Sequence, residues 1–172
     1  MKTTFATTVL VVSAAVGASA AHAADLSPGV YATIVAGKTD GSNPTYRNGG
    51  SPSLGGGLGY RFAPEWGVEV FTRGLDFELL RWQTSYAYPE RHSGVALTGE
   101  LPLNGLFGVT GRIGLGQTQM KRSGDRTGDR TSVSAGAGLA MHLGSNIAAT
   151  LGYERYTRVN VNAWLLGVEF RF

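Results

Sequence analysis

Eight ionisable side chains recur along the chain in a pattern that could do chemistry: Arg61, Glu69, Arg73, Glu100, Arg112, Glu154, Glu169 and Arg171. Four are acids and four are bases. Each falls on the polar parity of a stretch in which polar and apolar residues alternate. A lone charge in a confined space carries a large desolvation penalty, so balanced pairs are what a closed interior requires. The expected chemistry is ionic and hydrogen-bonded filling of an enclosed space. Exchange of partners that opens a narrow ion path is the alternative use of the same residues.

A second constellation is KRSGDRTGDRTS, Lys121 to Ser132, in which Lys121, Arg122, Arg126 and Arg130 stand against Asp125 and Asp129. Arginine forks suit oxyanions, so this segment could contact lipopolysaccharide phosphates or another anionic polymer. A solvated loop tip is the plainer reading of the same charges. Catalysis has less to stand on. Ser93 directly follows His92 and so points to the opposite face of a strand, and Gly144 stands two residues after His142. A serine hydrolase needs nucleophile and base within hydrogen-bond reach. With no cysteine, thiolate metal sites, thiol nucleophiles and disulfides are excluded. No phosphate loop, zinc spacing or nucleic-acid module appears, so no enzyme activity, cofactor or nucleic-acid partner is expected.

The elements that must hold these residues are strands. The chain has 172 residues and 16% charged residues, below the ~25% usual for soluble domains. Its 26 glycines are about twice the usual share. Helical periodicity is nowhere sustained, and the alternation predicts eight strands near 29–37, 53–62, 67–76, 91–101, 107–120, 132–142, 147–157 and 162–172. In the fifth, Phe107, Val109, Ile113 and Leu115 share one face, and Gly108, Thr110, Arg112, Gly114 and Gly116 the other. The third changes phase between Val70 and Leu75, which predicts a bulge near Arg73-Gly74.

Which face meets solvent follows from the polar parity. Mostly Gly, Ser, Thr and Ala, it suits the cramped interior of a narrow barrel better than a water-exposed surface. Aromatics gather toward strand ends, with Tyr60, Phe62, Trp66, Phe107, Phe170 and Phe172 at one rim and Trp82, Tyr156 and Trp164 at the other. Two such rims match the girdles of a transmembrane barrel. Links near 63–66, 102–106 and 143–146 are short, whereas those near 38–52, 83–90 and 121–131 are longer and polar. That alternation is expected when turns face the periplasm and loops face outward. The link near 158–161 is brief for its side.

The first 23 residues read as a cleaved export signal. Lys2 supplies the positive start, Val9 to Val16 a short apolar run, and Ala21-His22-Ala23 a small-x-small cleavage pattern. The run is too short to span a bilayer. Residues 24–172 then form a single barrel domain.

The terminal GVEFRF, its internal echo GLGYRF at Gly57 to Phe62, LPLNGLFGVTGRIGLG from Leu101 and LGYERY from Leu151 together resemble the OmpA-type group of eight-stranded outer-membrane barrels. The resemblance implies an all-β, antiparallel up-and-down transmembrane barrel in the bacterial outer membrane, acting as a monomer. It also implies that Gly167, Phe170 and Phe172 form the signal read by the barrel-assembly machinery. The sequence stops at the closing strand, so the expectation is a barrel without the peptidoglycan-binding domain of full-length relatives. The implied role is structural, in envelope integrity and surface interaction with lipid and lipopolysaccharide. A small-solute channel and, more remotely, a lipid A-modifying enzyme are the alternatives.

Overall fold

Alternation of this kind leaves each strand with one face that water cannot serve and one that lipid cannot, and closure into a cylinder resolves both. A computed structural model describes residues 27–42, 50–76, 87–122 and 125–172, apart from the side chains of 125–127. The signal segment and Trp82 lie outside the described residues. Eight strands form the barrel: β1 (Gly29–Gly41), β2 (Ser51–Ala63), β3 (Trp66–Gly74), β4 (Tyr88–Pro102), β5 (Phe107–Arg122), β6 (Asp125–His142), β7 (Ile147–Tyr156) and β8 (Val161–Arg171). Each pairs antiparallel with its sequence neighbours, and β8 closes on β1.

The register sets the width of the lumen. Following paired residues from Gly29 through Arg61, Gly67, Thr98, Arg112, Gly136, Glu154 and Ala163 returns to β1 at Thr39, an advance of ten residues from 29 to 39. Eight strands with that stagger tilt by roughly 40° and leave an interior that side chains alone can fill.

The two faces divide as the alternation predicts. Ile34, Leu58, Ile113 and Leu166 point outward and remain 58–63% exposed in the isolated chain. Such a belt suits lipid. Tyr60, Phe62, Trp66, Phe107, Phe170 and Phe172 are all exposed at the end that carries the short turns. At the other end, Trp164 is exposed against Tyr153, with ring centroids 5.1 Å apart. Tyr156 is not part of that outer rim, contrary to the sequence reading. It shares the inward parity of Glu154 and is fully buried in the lumen.

Two further expectations need correction. Pairing of β3 is regular through Gly74, opposite Arg91, so no bulge lies at Arg73-Gly74. The phase is lost one residue later, where the N–H groups of Leu75 and Asp76 both donate to the Glu90 carbonyl and both residues turn inward. The expected third long loop is instead a hairpin. Ladder pairing of β5 with β6 continues to Arg122 opposite Asp125, so that only residues 123–124 connect the strands. At the opposite end the connections are short. In one of them, the Asn104 Oδ1 accepts from the N–H groups of both Leu106 and Phe107 at 2.8 Å.

Candidate functional site

Inside the cylinder the eight charges separate into two clusters of four. Each has two acids and two bases. Nearer the loop end, Arg112 bridges two carboxylates, with Nη2 2.9 Å from Glu69 Oε1 and Nη1 2.9 Å from Glu154 Oε1. Arg73 stands behind it, 3.4 Å from Glu69 and 3.9 Å from Glu154. Tyr156 donates its hydroxyl to Glu154 at 2.5 Å, and Thr33 donates to Glu69 at 3.3 Å. The Phe71 ring lies beneath both guanidiniums, 4.2 Å from Arg112 and 5.4 Å from Arg73, so their faces meet π density while their edges meet carboxylates.

Strand β2 makes room for this packing. Gly55, Gly57 and Gly59 occupy successive inward positions, and a methyl group there would collide with the side chains of Arg73, Glu69 and Tyr31, respectively. These three inward glycines therefore form a groove that accepts long side chains from its neighbours.

At the turn end, Glu100 is the hub. Arg61 and Arg171 approach its Oε2 at 3.1 and 3.3 Å, and His142 Nε2 stands 2.6 Å from its Oε1. Glu169 takes Arg171 at 2.7 Å and Arg61 at 3.5 Å. A second Arg61 amino group donates to the Pro64 carbonyl at 3.1 Å, tying the cluster to the β2–β3 turn. His142 shares the inward parity of Ser132 and Ser134 in β6 and is buried, but its contact with Glu100 was not anticipated. Only the inward parity of both residues near the same end hinted at it.

Above the loop-end cluster sits a feature with no precursor in the charge pattern. Val35, Leu75, Tyr156, Val161, Ala163 and Leu165 pack together as an apolar cap across the lumen. Thr39 fastens it by donating to the Leu75 carbonyl at 2.7 Å. Beside it His92, fully buried, contacts the Tyr156 ring edge-on at 5.0 Å and pairs through Nδ1 with Thr118 Oγ1 at 2.8 Å. Ser93 lies on the outer face, where its hydroxyl meets that of Thr72 at 2.9 Å, so the adjacent His92 and Ser93 do not meet. Between the two charge clusters is a cavity of about 120 Å³, lined by Tyr31, Thr98, Thr110, Thr150 and the flanking charges.

The basic segment rides on the β5–β6 hairpin. Lys121 pairs with Glu90 at 2.6 Å, whereas Arg122 and Arg130 are exposed; Arg126 sits opposite Lys121 in the ladder. In β8, Gly167 faces inward, where a methyl group would press on Thr150 and Val35, while Phe170 and Phe172 face outward.

The sequence matches the family described as outer membrane protein beta-barrel domain over residues 8–172. Solved structures share the architecture. OprG of Pseudomonas aeruginosa is 16% identical with a TM-score of 0.56, covering 88% of this chain and 97% of that one. The N-terminal β-barrel domain of OprF from the same organism is 14% identical with a TM-score of 0.52, covering 85% and 100%. A de novo designed transmembrane β-barrel is 15% identical with a TM-score of 0.56, covering 85% and 98%. A designed barrel scores as well as a natural one, so these likenesses describe fold and carry no task with them. Among curated proteins, none matches the sequence. The chain belongs to the outer membrane protein β-barrel domain family.

Proposed function

We propose that this chain is a structural, non-catalytic barrel of the outer membrane whose lumen is closed, contributing to envelope integrity and presenting its β5–β6 hairpin to lipopolysaccharide. The observation that carries the reading is the filling of the lumen by the Leu75–Tyr156–Val161 cap in series with two charge-balanced clusters. The competing reading is a narrow gated channel. Glu69 and Glu154 each face both Arg73 and Arg112, so partners have somewhere to exchange. Such exchange would leave the apolar cap in place, and an ion crossing it would lose its hydration without compensation.

Single-channel recording in planar bilayers tests this reading. The expected record is a flat baseline after insertion, and a steady conductance would refute closure. For the hairpin, replacing Lys121, Arg122, Arg126 and Arg130 with serine should weaken lipopolysaccharide binding, with a shallower salt dependence. Unchanged binding would dispose of that surface.

A further inference from the structure

The two closures of the lumen are unequal. Leu75, Tyr156 and Val161 in the cap are 0% exposed, while at the turn end the side chains of Arg61, Glu169 and Arg171 retain 9%, 13% and 11% exposure. The cavity reaches that ionic floor, because Arg61, Glu100 and Glu169 are among its walls. Its middle is ringed by hydroxyls of Tyr31, Thr33, Thr98, Thr110 and Thr150. A space of this size, with hydroxyls and charged groups among its walls, holds several waters, and the hydroxyls can exchange hydrogen-bond partners with them. Arginine and glutamate side chains at a partly solvated floor can swing on flexible stems, whereas a packed apolar cap opens only by local unfolding.

We propose that the lumen is a one-ended pocket for small hydrophilic solutes. They enter past the Arg61–Glu100–Glu169–Arg171 floor, reach the threonine ring and stop beneath the cap. The inference rests on the closed-lumen reading and adds a direction to it. With short turns on the periplasmic side, the open end faces the periplasm.

The absence of cysteine makes the test direct, since Thr150→Cys places one thiol in the ring and Ser134→Cys places one opposite Tyr156 at the cap. Each variant is reconstituted in liposomes with one orientation, verified by trypsin cleavage at exposed Arg122. A small methanethiosulfonate reagent is then added from one side at a time, and modification is read by mass spectrometry. The expected result is modification of Thr150→Cys from the turn side more than about tenfold faster than from the loop side, where access requires local opening of the cap. Ser134→Cys should stay unmodified from both sides. Equal rates from the two sides, no modification of Thr150→Cys from either, or rapid modification of Ser134→Cys from the turn side would each overturn the proposal. Thr110→Cys serves as the second ring reporter should Thr150→Cys fail to fold. The failures are separable: conductance by the unaltered chain refutes closure itself, whereas a silent bilayer with an unreactive ring removes only the pocket.

Discussion

At the loop end the lumen closes on Leu75, Tyr156 and Val161, fully buried and packed together, whereas at the turn end it closes on Glu100 and the four ionisable groups around it, of which Arg61, Glu169 and Arg171 keep partial contact with solvent. The loop-end charges of Glu69, Arg73, Arg112 and Glu154 lie under the cap, and the turn-end charges have no such cover. The same balanced arrangement of acids and bases is therefore held in two dielectric settings. Beneath the cap, the water within reach is that of the enclosed cavity, so each charge depends chiefly on its partner. At the floor, water can substitute for a missing partner, and screening weakens each pair.

The largest expected effect breaks the comparison from the covered side. Arg112→Met leaves Glu69 and Glu154 facing each other with Arg73 as their remaining guanidinium, and should destabilise the barrel by about 3–5 kcal/mol. Urea unfolding in lipid, followed by heat-modifiable gel mobility, measures it; a loss under about 1 kcal/mol would mean that water reaches the cluster. Next comes the cap. Leu75→Ala removes a fully buried side chain and should cost about 2–4 kcal/mol in the same assay. A cost near zero would show that the site collapses or that Leu75 is not packed. Smaller again, Glu169→Gln at the floor should cost about 1–2 kcal/mol, because Arg171 and Arg61 keep Glu100 and gain water. If it equals the Arg112→Met loss, the two ends are alike and the contrast fails. Smallest is Arg122→Ser with Arg130→Ser on the hairpin, which should leave the unfolding midpoint unchanged, since both side chains are exposed and neither packs in the barrel.

What could be read in the sequence was what the membrane imposes. Period-two alternation survives wherever one face meets lipid and the other a narrow lumen, so strand positions and the inward placement of Arg61 through Arg171 followed from parity alone. The sequence was mute where that constraint lapses. Beyond Met120, the segment 121–132 has no apolar residue to mark a face, so the repeated Gly-Asp-Arg-Thr reads as turns although the ladder continues. Leu75 was equally hidden: it continues the inward parity of Phe71 and Arg73 just past the end of β3, but an apolar residue on that parity reads as a change of face. Tyr156 was assigned to the aromatic rim by its type, when the parity of Glu154 already directed it inward. The pairing of clusters across strands, including His142 with Glu100, depends on the ten-residue stagger, which no single strand encodes.

All of this presumes that lipid, not water, surrounds the belt of Ile34, Leu58, Ile113 and Leu166. Removing detergent from the purified, folded chain and following far-UV circular dichroism together with heat-modifiable mobility addresses that directly. The expected result is loss of the compact, fast-migrating form and precipitation or unfolding in plain buffer. A chain that stays soluble, monomeric and folded without detergent would contradict it.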